Sequence, residues 1–137
     1  MKPIFLYSAL IFSASAMAAP AIAQAPIEGL WRNPSGTAII SVAPCGPLLC
    51  GKVAWASDRG QREVARNSPR VVGTTVLTGL KPNRGRWLGS LYIPDDNIHV
   101  SARLQPLGNR QLKLTGCAFA GLICRSQIWT RADRLPN

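Results

Sequence analysis

The chain has 137 residues, with 16 Lys and Arg against 6 Asp and Glu, for a formal net charge of +10. That length suits one small domain, and the single histidine leaves little for a metal centre or a His-based nucleophile pair. In a cytosolic protein such a basic balance would suggest nucleic acid, but the N-terminus points elsewhere.

Lys2 supplies a positive start, residues 4–17 form an apolar run broken only by small Ser and Ala, and Ala21-Ile22-Ala23 offers a small-residue cleavage site before Gln24. Residues 1–23 are therefore expected to be a cleaved signal peptide. A cut after Ala25 would put Pro26 directly behind it. As a membrane anchor the apolar run is short of the ~18–20 residues a span needs, and Pro20 prevents its continuation. Residues 24–137 are then one domain with no transmembrane span, exported to the periplasm or secreted. Nucleic acid is not expected as a partner there. A small apolar ligand or an anionic lipid or envelope surface is.

The exported part reads as short β-runs separated by Gly, Pro, Asn and Asp. Residues 29–32 open a first strand, closed by Asn33-Pro34-Ser35-Gly36. Residues 37–42 are rich in Ile and Val. A turn over 44–49 leads to a third strand at 50–55. Residues 56–72 form the one long irregular segment, a flap or short helical excursion carrying Arg59, Arg62, Arg66 and Arg70. Strand character resumes at 73–80, and 81–85 turn. Residues 86–93 place Trp87, Leu91 and Ile93 on one face and Leu88 and Tyr92 on the other. After a turn at 94–97, residues 98–104 alternate well. A turn at 106–109, a strand at 111–115, a turn within 116–123 and a last strand at 124–131 complete the chain. About eight strands joined mostly by tight turns predict an all-β, antiparallel up-and-down barrel, because closure removes exposed edges.

Cys45 and Cys50 flank Gly46-Pro47-Leu48-Leu49 at one expected hairpin, and Cys117 and Cys124 flank another. Four cysteines allow three connectivities. Local pairing, 45–50 and 117–124, needs the least assumption in an exported chain. A redox dithiol usually has a two-residue gap at a helix start, and a zinc site wants tight spacings and often His. The only histidine, His99, stands on an alternating strand. No metal or cofactor is expected.

Gly29-Leu30-Trp31 near the start and Trp129-Thr130-Arg131 near the end resemble the G-x-W and late-Arg pairing of calycin barrels such as lipocalins. That resemblance implies that Trp31 closes one end with Arg131 over it. More broadly, Pro44-Cys45-Gly46, Leu49-Cys50-Gly51-Lys52-Val53-Ala54-Trp55, Leu77-Thr78-Gly79-Leu80-Lys81, Trp87-Leu88-Gly89-Ser90-Leu91-Tyr92-Ile93-Pro94 and Gln127-Ile128-Trp129-Thr130-Arg131 resemble the bacterial secreted family called domain of unknown function 2147. The resemblance implies a lipocalin-like barrel in the envelope and supplies no function. The arginine-rich 56–72 segment and Val100 depart from the family pattern.

The sequence admits three classes of function. A non-enzymatic binding module would hold a small apolar or amphipathic ligand, with Trp55, Trp87 and Tyr92 as candidate liners. A basic interaction or structural protein would dock on anionic envelope surfaces through Arg59, Arg62, Arg66, Arg70, Arg84 and Arg86. An enzyme is not expected: among the carboxylates Glu28, Asp58, Glu63, Asp95, Asp96 and Asp133, only Asp95-Asp96 are adjacent, and they belong to a turn. No phosphate loop or nucleophile elbow is present.

Overall fold

The structure is a computed structural model that describes residues 15–17, 25–67 and 70–137. The expected leader, residues 1–23, lies outside them apart from 15–17. Eight strands run in chain order: β1 Gly29–Arg32, β2 Ala38–Cys45, β3 Leu48–Ala56, β4 Thr75–Asn83, β5 Arg86–Ile93, β6 Ile98–Leu107, β7 Gln111–Ala118 and β8 Ile123–Ala132. One helix, α1 Asp58–Val64, sits between β3 and β4. Each strand pairs antiparallel with the next, and β8 returns to β1 through Leu30↔Ala132, Trp31↔Arg131 and Arg32↔Thr130. The expected eight-stranded up-and-down barrel is therefore what the chain forms, closed without a free edge.

Strand bounds move where turns are tighter than the sequence suggests. Cys45 faces Leu48, so the β2–β3 turn is only Gly46-Pro47, with Gly46 at φ 67°. Gly at the first position of a two-residue hairpin suits a type II′ turn. Lys81 and Pro82, expected in a turn, lie in β4, opposite Leu88 and Trp87. There the turn is Arg84-Gly85, both with positive φ, as type I′ requires.

The interior-facing residues alternate along the strands except at the irregularities in the β2–β3, β3–β4 and β4–β5 pairings. Trp31, Val42, Leu77, Leu80, Leu104 and Leu112 are fully or almost fully buried at the heart of the barrel. The chain start, the β2–β3, β4–β5 and β6–β7 turns and the end of β8 share one end of the barrel. The β1–β2 connection, α1, and the β5–β6 and β7–β8 turns share the other. The two ends differ in what fills them.

Candidate functional site

The first end is plugged. Trp31 is fully buried, and its Nε1 donates to the Ile27 carbonyl at 2.8 Å. The Arg131 guanidinium lies over the Trp31 ring, 4.1 Å from its centroid. It donates to three carbonyls, from Nη1 to Glu28 at 2.8 Å, from Nη2 to Pro26 at 2.9 Å and from Nε to Asn109 at 2.7 Å. Gly29 adopts φ +118°, and a Cβ there would stand 2.6 Å from Arg131 Nη1. The Gly of the G-x-W triplet is thus required twice, by backbone conformation and by the guanidinium it accommodates.

At the other end the interior stays open. A cavity of about 280 Å³ has Ile40, Val53, Val76, Leu91 and Leu114 in its walls, with Trp129 among them. A second cavity, of about 300 Å³, adjoins it through Leu91, Ile93, Leu114 and Gln127. Val100, Gly116 and Ile123 line this second part, with Arg125 and Asp96.

Helix α1 borders the first cavity with Gly60, Glu63 and Val64. Its N-cap is Ser57, whose Oγ accepts from the Gly60 N–H at 3.1 Å. The Ser57 N–H donates to the Thr37 carbonyl at 2.9 Å. Gly60 presses so closely on the β1–β2 connection that a Cβ would lie 2.5 Å from the Thr37 oxygen. Beyond the helix, Asn67 Nδ2 donates to the Pro94 and Asp95 carbonyls at 3.1 and 2.6 Å, tying the segment to the β5–β6 turn. The segment expected as a flap or helical excursion is thus a helical excursion pinned on both sides of the mouth.

Two of the three candidate liners do not reach the cavity. Trp87 is buried in the packed core, opposite Leu104 and Pro82. Trp55 stands on the outer face with Arg32 5.8 Å from its ring centroid. The cause is a bulge between Ile39 and Ile40, which pairs Val53 with Ile40 but Trp55 with Ile39. Without it Val53 and Trp55 would share a face. Tyr92 borders the mouth, its ring stacked on His99 at 4.7 Å and its hydroxyl donating to Asn97 Oδ1 at 2.9 Å.

The cysteines are bridged locally, Cys45 to Cys50 and Cys117 to Cys124. Cys117 and Cys124 are direct cross-strand partners with Cα atoms 4.1 Å apart. Cys45 and Cys50 are diagonal neighbours instead, because Cys50 faces Ala43; their Cα atoms are 5.5 Å apart. One bridge braces each end of the barrel.

The six surface arginines are not brought together. Arg59, Arg62, Arg66 and Arg70 lie on or after α1, at the open end, whereas Arg84 lies in the β4–β5 turn and Arg86 directly after it, at the plugged end. Arg59 pairs with Glu63 at 2.9 Å. The acidic groups Asp58, Glu63, Asp95 and Asp96 share the open end and offset its arginines. At the plugged end Arg110 holds Asp133 with two contacts, 2.8 and 3.3 Å. These hydrogen bonds, and then the charge of Arg110, hold the Asp133 carboxyl below its ordinary pKa. Among the described residues no three His, Cys, Asp or Glu side chains group as metal ligands, and no helix is long and apolar enough to cross a membrane.

Residues 29–131 match the family described as an uncharacterized protein conserved in bacteria, DUF2147. The chain belongs to this family. Its matched span runs from the start of β1 into the end of β8, so Gly29, Trp31 and Arg131 all fall inside it. No curated protein matches the chain. Among solved structures the chain is similar to a protein of Helicobacter pylori described as belonging to the lipocalin family. The two are 14% identical, with 78% of this chain and 83% of the other covered and a TM-score of 0.59. At that identity the likeness is one of fold, a lipocalin-like barrel.

Sequence reasoning missed Arg125, Gln127 and Asn67 at the mouth, and it placed Trp129 only in the terminal motif. Ile123, Arg125, Gln127 and Trp129 share one face of β8, but that face carries no apolar alternation to reveal it.

Proposed function

We propose that this protein is a non-enzymatic binding module for a small apolar or amphipathic ligand, working in the bacterial envelope. One observation carries the reading. The barrel is plugged at one end by Trp31 and Arg131 and keeps an apolar-walled cavity at the other. Each cavity by itself, about 280 Å³ and about 300 Å³, is near the lower edge of the ~300–1,000 Å³ usual for ligand sites, which favours a small occupant. The lipocalin-like fold supports the same use of the interior. The two disulfides support an oxidising compartment, and so the periplasm or the exterior. Binding is favoured over catalysis because the lone histidine, His99, lines neither cavity.

The decisive experiment is native mass spectrometry of protein purified from its own envelope, paired with titration of an environment-sensitive acyl probe. Retained small-molecule mass, or saturable probe binding that quenches Trp129, is expected. Protein that carries no ligand and binds no probe would overturn the reading.

A further inference from the structure

We infer that the open end selects an amphiphile with a single carboxylate head, read by Arg125 and Gln127. This rests on the open end being a ligand site. The two residues are two apart on β8, so they share a face, and both line the second cavity. Their side chains are hydrogen-bond donors toward it for different reasons. Arg125 carries a guanidinium, which donates and never accepts. It has no hydrogen-bond or ion-pair partner among the described residues. Gln127 is oriented by its neighbour, because Trp129 Nε1 donates to Gln127 Oε1 at 2.7 Å. Indole N–H only donates, so the amide oxygen is turned toward Trp129 and its NH₂ group is left for another acceptor.

A donor pair on one wall of an apolar cavity calls for an acceptor-only, negatively charged group. The other walls, Leu91, Ile93, Val100 and Leu114, suit an alkyl chain. Asp96 also borders this cavity and makes no ion pair with Arg125. Its negative charge disfavours a doubly charged phosphate head relative to a carboxylate. A quaternary ammonium head would meet the Arg125 charge and can accept no hydrogen bond from the guanidinium or the amide NH₂.

The test is calorimetric titration of the intact protein with dodecanoate, dodecanol, dodecyl phosphate and dodecyltrimethylammonium below their micelle concentrations. Dodecanoate is expected to bind about 10-fold or more tighter than dodecanol, in line with a charge-assisted hydrogen bond, and tighter than the phosphate and ammonium heads. Arg125→Leu is expected to remove that advantage while leaving dodecanol affinity in place. Gln127→Glu keeps the acceptor for Trp129 but sets a negative charge against the head, and is expected to weaken dodecanoate and dodecyl phosphate while leaving dodecanol affinity in place. Equal affinity for dodecanoate and dodecanol, or an Arg125→Leu protein that keeps the preference, overturns the head-group assignment and leaves the cavity reading standing. If none of the four binds, both fall together. Unchanged circular dichroism and melting of the variants separates loss of binding from loss of fold.

Discussion

The guanidinium of Arg131 lies 4.1 Å from the centre of the Trp31 ring, and three backbone carbonyls, of Pro26, Glu28 and Asn109, hold it there. One side chain thus joins the segment before β1, the β6–β7 turn and β8, and its attraction to the indole face adds to those bonds. The contact closes the barrel at the point where its first and last strands meet. Arg131→Ala should lower the free energy of unfolding by about 2–4 kcal/mol, from the lost cation–π contact and the carbonyls left unpaired. Arg131→Lys should recover only part, since an ammonium cannot span three carbonyls and a ring at once. Urea denaturation of the three proteins checks this; an Arg131→Lys protein as stable as the parent would refute it.

Gly29 and Arg131 should behave as a coupled pair. Gly29→Ala is expected to destabilise by about 1–3 kcal/mol, because φ +118° is costly for any residue with a Cβ and that carbon meets Nη1. In the Arg131→Ala background the steric part disappears and only the backbone part remains. A double-mutant cycle should therefore be non-additive. Strict additivity would show that the close approach carries no energy.

Both disulfides should prove local and structural. Non-reduced peptide mapping should return Cys45–Cys50 and Cys117–Cys124 and no cross-link between the pairs. Replacing either pair with serines should cost about 2–2.5 kcal/mol in chain-entropy terms, small because both loops are short. Ligand affinity should survive loss of the Cys45–Cys50 bridge, which lies at the plugged end away from the cavity.

The Arg110–Asp133 pair makes a pH prediction. The folded carboxyl sits below its ordinary pKa, so its contribution to stability is present above the unfolded value and is lost as pH falls through the lowered folded value. Both side chains are largely exposed, so the effect on melting should be small and should fade with salt. Carboxyl NMR should find the Asp133 midpoint below the usual aspartate range and moved upward in Arg110→Ala. An unmoved midpoint would contradict the assignment.

Gly60→Ala tests how α1 is seated. Alanine favours a helix more than glycine does, yet its Cβ would stand 2.5 Å from the Thr37 carbonyl oxygen, which cannot swing aside as a side-chain tip can. The helix should therefore shift off the β1–β2 connection. Amide exchange in residues 58–64 should quicken and probe affinity should change, with the barrel strands still protected. Unaltered exchange in α1 would mean that the approach is relieved without moving the helix.

Much of the fold was legible because its determinants are local. Alternation along 98–104, the turn residues between runs and the even, paired cysteines are properties of neighbouring residues. The G-x-W and W-T-R triplets identified the two strands that close the barrel, and the backbone conformation of Gly29 explains the first of them.

The candidate site was less legible, for a physical reason that Trp55 illustrates. Its spacing from Val53 places both on one face of an ideal strand, but a one-residue bulge reverses the face after Val53 and sends the ring outside. Trp87 does face inward, yet depth along the barrel, set by where the plug lies, puts it in packed core and not in a cavity. Arg125 and Gln127 gave no apolar signal because their end of the interior is open. The sequence by itself determined the strands and most of their turns, since periodicity and turn chemistry are written locally, and the resemblance to calycin barrels pointed to the residues of the plug. Only the tertiary structure decided which end stays open and which side chains face it, because inward facing depends on register summed around a closed sheet.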